Sequence, residues 1–122
     1  MATWEDVARL AAELPGTALS LEHKVMCAGQ TLAWNRPYTK ADIKRETAIG
    51  AEIYDGTILA VHTPDVETAR AYVQMEPDKY FLTLHFGNYP AVLCRLERLE
   101  DEDVRELIFE AKMHLVDDAG LG

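Results

Sequence analysis

Apolar residues recur at helical spacing near both ends of the chain. The first stretch, residues 3–14, starts with Thr3 and Asp6 in a capping-box pattern and stops at Pro15. The second follows an acidic run at residues 100–103, which suits the positive end of a helix dipole. Its apolar stripe consists of Val104, Leu107, Ile108, Ala111 and Leu115. Both stretches are predicted to be amphipathic helices that pack against a core.

Two shorter helices are predicted between these. One follows Thr39 to about Ala48 and has little apolar surface besides Ile43, so we expect it to be exposed. The other begins at Pro64-Asp65 and runs to about Met75.

Five strands are indicated by short apolar or alternating runs between turn residues. They cover approximately residues 23–27, 31–36, 57–62, 80–84 and 91–96. A Gly-containing connection between the first two favours an antiparallel hairpin. The apolar run in the third suggests a central position. The element order α-β-β-α-β-α-β-β-α predicts one α+β domain over residues 1–122, with helices packed on an antiparallel or mixed sheet of about five strands.

Composition is that of an ordinary globular domain, with 48% hydrophobic and 27% charged residues among 122. No apolar run is long enough to span a bilayer. The start of the chain is acidic and lacks the apolar core of a signal peptide. The sequence therefore predicts a cytoplasmic protein without a membrane partner.

The net charge of −9, from twenty-one Asp and Glu against twelve Lys and Arg, opposes non-specific binding to duplex phosphates. Its distribution is uneven. Residues 97–118 carry nine acids and three bases, whereas residues 36–45 carry four bases and one acid. A polyanion would meet the second segment and avoid the first.

Residues for catalysis or metal binding do not form a recognisable constellation. The one serine, Ser20, lies outside any nucleophile-elbow motif. His23 and Cys27 would be about 13 Å apart along an extended strand, and the four histidines have no metal-ligand spacing. We therefore expect a non-enzymatic protein without metal or cofactor. Cys27 and Cys94 are expected to be buried, reduced thiols, although a bond would be possible if their strands were neighbours.

The segment from His85 to Leu96 carries a motif, His-Phe-Gly-Asn-Tyr-Pro followed by Ala-Val-Leu-Cys-Arg-Leu. It resembles the MmcQ/YjbR family, in which His-Phe-x-Gly-Tyr-Pro leads into a Val-Leu-x-Arg-Leu strand. The order Gly87-Asn88 departs from the usual acid-Gly order. Weaker matches extend the resemblance over nearly the whole chain, namely Trp34-Asn35-Arg36-Pro37, Lys40-Ala41-Asp42, Ile58–Val61 and Glu110-Ala111.

The resemblance implies an α+β fold that has been likened to the double-wing domain of a bacteriophage transcription activator, and a DNA-binding function. In this first hypothesis two hairpins, residues 23–36 and 80–96, would act as wings. Lys24, Arg36, Lys40, Lys44 and Arg45 would contact phosphates, and His85 and Tyr89 could touch a groove. The alternative interpretation of the basic residues is a solvated face that Asp42 and Glu46 balance.

A protein- or small-ligand-binding module is the second hypothesis. Trp34, His85 and Tyr89 would then line a pocket. A continuous positive surface over residues 36–45 would favour nucleic acid, and a concave aromatic pocket would favour a ligand or peptide.

Overall fold

The computed structural model describes residues 1–117, which form a six-stranded sheet with four helices. The strands are β1 Thr17–Leu19, β2 Lys24–Cys27, β3 Gln30–Asn35, β4 Ile58–His62, β5 Tyr80–Phe81 and β6 Ala91–Arg95. Their spatial order is β1-β2-β3-β4-β6-β5, and every neighbouring pair is antiparallel. The predicted α+β class is confirmed, with six strands instead of about five. The last five residues of the predicted domain, 118–122, lie outside the described residues.

The helices are α1 Trp4–Ala11, α2 Lys40–Ala48, α3 Val66–Met75 and α4 Asp101–Lys112. Side chains cap their first turns: Thr3 with Asp6, as the capping-box pattern predicts, Thr39 with Asp42, and Asp65 alone. Glu100 and Asp103, both in the acidic run, form the capping box of α4. Among the described residues, no helix combines the length and the apolar character that crossing a bilayer requires.

Three helices, α1, α3 and α4, cover one face of the sheet and are called the helical layer. Side chains of the central strands, such as Leu59, Val61 and Val92, are buried against Leu10 and Leu107 of these helices. The opposite face, called the second face, carries a smaller apolar cluster that consists of Ile58, Ala60, Phe86, Ala91 and Leu93. Strand β4 lies between β3 and β6, which confirms its predicted central position.

Strand lengths differ from the prediction at the two edges of the sheet. The edge strand β1 was not predicted, because three residues are too few to show a period. The predicted strand 80–84 is wrong beyond Phe81, since the backbone turns where Phe86 N donates to Thr83 O and Gly87 N to Leu84 O. Both predicted hairpins are present, and their inner strands β3 and β6 pair with β4 inside one continuous sheet.

Cys27 and Cys94 are both buried and free. Strands β3 and β4 separate their strands, β2 and β6. Three strand spacings amount to about 14 Å, well beyond the roughly 7 Å between Cα atoms that a disulfide tolerates. The two thiols therefore cannot form a bond with each other in this fold.

The turn between β2 and β3 is shorter than predicted. Cys27 pairs with Gln30, so only Ala28 and Gly29 connect the strands. Both residues have positive φ angles, 51° and 78°, as a type I′ turn requires. Ala28 is therefore held in a left-handed conformation that Asn tolerates better.

We expect Ala28→Asn to raise the free energy of unfolding by about 0.5–1 kcal/mol, because Asn relieves the left-handed strain. Urea denaturation with an unchanged slope would measure the gain. Ala12→Asn is the matched control, since Ala12 is the C-cap residue directly after α1 and has an ordinary φ of −66°. No gain at position 28, or an equal gain at position 12, would contradict the assignment of strain.

Candidate nucleic-acid interface

Charge divides between the two sides of the sheet. The helical layer and its adjoining turns, residues 1–16, 63–78 and 99–117, carry fourteen Asp and Glu against four Lys and Arg. The strands and the remaining segments, residues 17–62 and 79–98, carry six acids against eight bases, of which Lys79 is paired with Asp103 of α4 in the helical layer. Within residues 1–117, the net negative charge therefore belongs entirely to the helical layer.

Helix α2 turns a charged side, not an apolar side, toward the protein. Its buried residues are Asp42 and Glu46, whereas Ile43 is 44% exposed. The carboxylate of Asp42 accepts hydrogen bonds from Arg36 Nη1 at 2.9 Å and from Arg45 Nη2 at 3.0 Å. Two of the five predicted phosphate-binding side chains thus already have a carboxylate partner.

Arg36 links three parts of the second face. It follows β3, it pairs with Asp42 of α2, and its guanidinium carbon lies 5.2 Å from the centre of the Phe86 ring. Its side chain is only 18% exposed. Arg36 is therefore placed to position α2 and the loop around Phe86, with little of its charge facing solvent.

Glu46 fixes the neighbouring loop in a similar way. Its carboxylate accepts a hydrogen bond of 2.9 Å from the backbone N–H of Leu84. A buried carboxylate needs such donors, because burial removes its water. The loop of residues 82–90 is thus tied to α2 from one side and to Arg36 from the other.

The remaining predicted cations, Lys24, Lys40 and Lys44, are exposed. Within residues 1–117, no carboxylate oxygen lies within 4 Å of their amines. Lys40 and Lys44 are one helical turn apart on α2. Lys24 lies on β2 directly opposite Trp34 of β3. These three amines are the predicted cations whose charge is available to a ligand.

Aromatic rings form a continuous surface on the second face, which we call the aromatic strip: Trp34, His62 and Tyr89. The His62 ring lies 4.8 Å from the Trp34 ring and 5.9 Å from the Tyr89 ring, centre to centre. Beneath the strip is the buried ring of Phe86, 5.7 Å from Tyr89. Tyr89 is 44% exposed, so the strip is open to solvent at this end.

His85 is also exposed and packs edge-on against Phe86 at 5.2 Å. The structure thus gathers Trp34 and Tyr89 around His62, a residue that the sequence reasoning missed. The alternation of side chains along β4 could have identified His62, since Ile58, Ala60 and His62 lie on the same face of this strand. Burial lowers the pKa of His62, which favours the neutral ring near pH 7.

Among the described residues, grooves lie at three places on the helical layer. A groove of about 360 Å³ lies between α1 and α4, one of about 270 Å³ between α3 and α4, and one of about 330 Å³ beside His114. None of the three includes Trp34, His85 or Tyr89. Of the residues of the predicted pocket, Trp34 and Tyr89 belong to the aromatic strip and His85 lies on the loop beside it.

Groups suited to metal or thiol chemistry are not assembled in the described part of the chain. Within it, no three His, Cys, Asp or Glu side chains cluster in a way that could hold a metal ion. Burial raises the pKa of the Cys94 thiol far above its usual range, which keeps that thiol protonated and unreactive.

Acid stability should depend on Asp42. Burial alone raises the pKa of Asp42, but hydrogen bonds from Thr39 and Arg36 outweigh it and hold the pKa at about 2, below the ordinary 3.8. Because the pKa of Asp42 is lower in the folded state than in the unfolded state, the ionised carboxylate stabilises the folded protein at pH values above the unfolded pKa. This contribution of about 2 kcal/mol is lost as pH falls from about 4 to about 2.

Asp42→Asn should flatten that part of the pH profile of unfolding free energy. It should also cost roughly 2–3 kcal/mol at pH 7, because Arg36 and Arg45 lose their carboxylate. Urea denaturation from pH 2 to pH 7 would measure both effects. Asp55→Asn, at an exposed carboxylate, is the control. Superimposable profiles for the parent protein and Asp42→Asn would refute the role of Asp42.

Comparison with known proteins identifies relatives by sequence but no similar solved structure. No family model matches the chain, and no solved structure does. Three mycobacterial proteins, each described as an uncharacterised protein, are 44% identical to it over 111 residues, which cover 91% of this chain and 86% of each relative. They are Rv2570 and MT2646 of Mycobacterium tuberculosis and Mb2600 of Mycobacterium bovis. The chain belongs to the family of these mycobacterial proteins.

Proposed function

We propose that the protein is a non-enzymatic nucleic-acid-binding domain that contacts phosphates from the second face of its sheet. The observation that supports this most is the division of charge. Residues 17–62 and 79–98, which include the second face, carry six acids and eight bases, and seven of these bases remain when Lys79, paired with Asp103 of the helical layer, is left out, although the whole chain has a net charge of −9. A polyanion approaching from that side meets a weakly cationic surface, while the helical layer repels it.

Lys24, Lys40 and Lys44 are the proposed phosphate contacts, because their amines are exposed and have no carboxylate partner among residues 1–117. Arg36 and Arg45 act indirectly in this proposal. Their ion pairs with Asp42 hold α2, and therefore Lys40 and Lys44, in place. His85 and Tyr89 lie on an exposed loop of the same face and are proposed to touch the ligand.

The resemblance to the MmcQ/YjbR family supports the same function, and we propose that the chain is a member of it. The matched segment supplies His85, Phe86 and Tyr89. Its buried phenyl ring underlies Tyr89 and faces Arg36. The motif therefore coincides with the loop that supports the proposed surface.

Three phosphate contacts give weak, salt-sensitive binding. Each neutralised phosphate contributes about −0.9 to the slope of log affinity against log salt, so three lysines give a slope of about −2.7 on duplex DNA. Fluorescence anisotropy with a labelled short duplex, starting at low salt, would measure it. A flat salt response would exclude the proposal.

Lys40→Glu combined with Lys44→Glu should lower affinity for that duplex at least tenfold, because two attractive contacts become repulsive. The matched control is Arg9→Glu with Arg105→Glu, which changes the net charge equally. Both control side chains lie on the helical layer and are about half exposed, at 51% and 47%. An equal loss in the two variants would show that net charge, and not the second face, governs binding.

A protein- or small-ligand-binding module is the second candidate. It is favoured by the aromatic strip, in which Trp34, His62 and Tyr89 present contiguous rings with one end exposed. Aromatic surfaces of this kind bind planar or apolar groups without needing charge. This candidate uses the same face of the sheet but does not require the lysines.

Nuclear magnetic resonance can test that candidate in the variant Trp4→Phe, which leaves Trp34 as the single tryptophan. We expect aromatic fragments to shift the Trp34 indole N–H resonance, and Tyr89→Ala to weaken that effect severalfold through loss of a stacking partner. Met75→Ala is the control, because Met75 is an exposed apolar residue on α3. Shifts that are unaffected by Tyr89→Ala would reject the strip as a binding surface.

A further inference from the structure

Two guanidinium groups converge where β6 ends. Arg95 is the last residue of β6, and Arg98 closes the 3-10 turn that follows it. Both donate from Nη1 to the same acceptor, the carbonyl oxygen of Asp78, at 3.3 Å and 3.0 Å. Two like charges this close repel each other unless something compensates them.

Aromatic rings and carbonyl dipoles provide part of that compensation. The guanidinium carbons of Arg95 and Arg98 lie 5.6 Å and 5.4 Å from the centre of the Tyr54 ring. Arg95 also lies 4.6 Å from the centre of the Phe81 ring. Cation–π contacts hold a guanidinium in place but leave its positive charge unneutralised.

Carboxylates next to the pair are engaged elsewhere or exposed to solvent. Within residues 1–117, no carboxylate oxygen lies within 4 Å of either guanidinium. Glu97 accepts hydrogen bonds from the Tyr54 hydroxyl at 2.6 Å and from Thr57 N at 2.9 Å. Asp78 offers the pair its carbonyl oxygen, and its own side chain is exposed.

Donors remain available on both side chains. Arg95 uses Nη1 for the carbonyls of Pro77, Asp78 and Tyr80, and its Nε is buried without a partner among the described residues. Arg98 uses only Nη1 in the hydrogen bonds of the described residues. A guanidinium has five N–H donors, so Nη2 of Arg95 and both Nε and Nη2 of Arg98 are left for a ligand.

We propose that Arg95 and Arg98 form a binding site for a phosphate group. Paired guanidinium groups present parallel N–H donors to the oxygens of a tetrahedral anion, and their two charges match a phosphate dianion. The site is separate from Lys24, Lys40 and Lys44, and it can take either a free or terminal phosphate or a phosphodiester of a nucleic acid. In the second case it extends the proposed function, and in the first it stands without it.

Inorganic phosphate is the first probe. Its titration, followed by the side-chain N–H resonances of arginine, should shift Arg95 and Arg98 saturably. Arg98→Gln should weaken this binding about tenfold, because a charged hydrogen-bond partner is lost. Arg98 is exposed, so the variant should keep the fold. Arg70→Gln is the control, since Arg70 also donates to a backbone carbonyl, that of Gly87, but stands alone.

Oligonucleotides with and without a 5′-phosphate distinguish the two sources of phosphate. A requirement for the 5′-phosphate that Arg98→Gln abolishes assigns the site to terminal phosphate. Weaker binding of both oligonucleotides in Arg98→Gln assigns it to the backbone. The Lys40→Glu, Lys44→Glu variant tests the proposed function independently in the same assay. No saturable shift of Arg98 with phosphate, or an equal loss in Arg70→Gln, would overturn the site.

Discussion

The ion pair between the buried carboxylate of Asp42 and Arg36 is the interaction on which the arrangement of the second face depends. Helix α2 has no apolar stripe to pack, so it is held by an ion pair to Arg36 at the end of β3. The same carboxylate accepts the N–H of Thr39 and thereby caps the helix. Charge-assisted bonds of this kind are strong when buried, and removal of the carboxylate would leave buried positive charge unpaired.

This constraint changes what the basic segment can do. Residues 36–45 carry a net charge of +3, but Arg36 and Arg45 are both paired with Asp42, which leaves Lys40 and Lys44 as the cations of this segment without a carboxylate partner among the described residues. A cationic side chain remains available to bind a ligand where its neighbours are carbonyl groups or aromatic rings, as at Arg95 and Arg98. It also remains available where it is exposed to solvent, as at Lys40. Availability for a ligand is thus set by the partner that each cation already has.

Local chemistry made much of the fold predictable. Helix caps depend on residues three apart, and the apolar stripe from Val104 to Ala111 lies within one helix, so both predictions are confirmed, whereas Leu115 lies beyond the end of α4. The central position of β4 followed from an apolar run that only a sheet interior accommodates. By contrast, β1 and β5 have three and two residues, and their extent is decided by pairing partners.

The candidate surfaces were less predictable, because they join residues that are distant in sequence. His62 meets Trp34 only because β3 and β4 pair in one particular register. Arg98 meets Arg95 through the carbonyl of Asp78, in the connection between α3 and β5, and no spacing rule anticipates that acceptor. Residues of a candidate surface could be named from the sequence where they lie in one motif, as His85 and Tyr89 do. They could not be named where strand pairing or a distant backbone carbonyl brings them together.

Net charge is a poor guide to this molecule, because fourteen of the twenty acids in residues 1–117 belong to the helical layer and its adjoining turns, on the other side of the sheet from the candidate ligand surface. A helix with its side chains is about 10 Å across, and the screening length at physiological ionic strength is about 8 Å. Carboxylates on the outer side of the helical layer are therefore more than one screening length from a ligand on the second face. At low salt the screening length grows to about 30 Å, and the same acids then repel a polyanion across the sheet. Repulsion from the helical layer and attraction to the lysines thus strengthen together as salt is removed, which is why a control variant on the helical layer is needed to separate them.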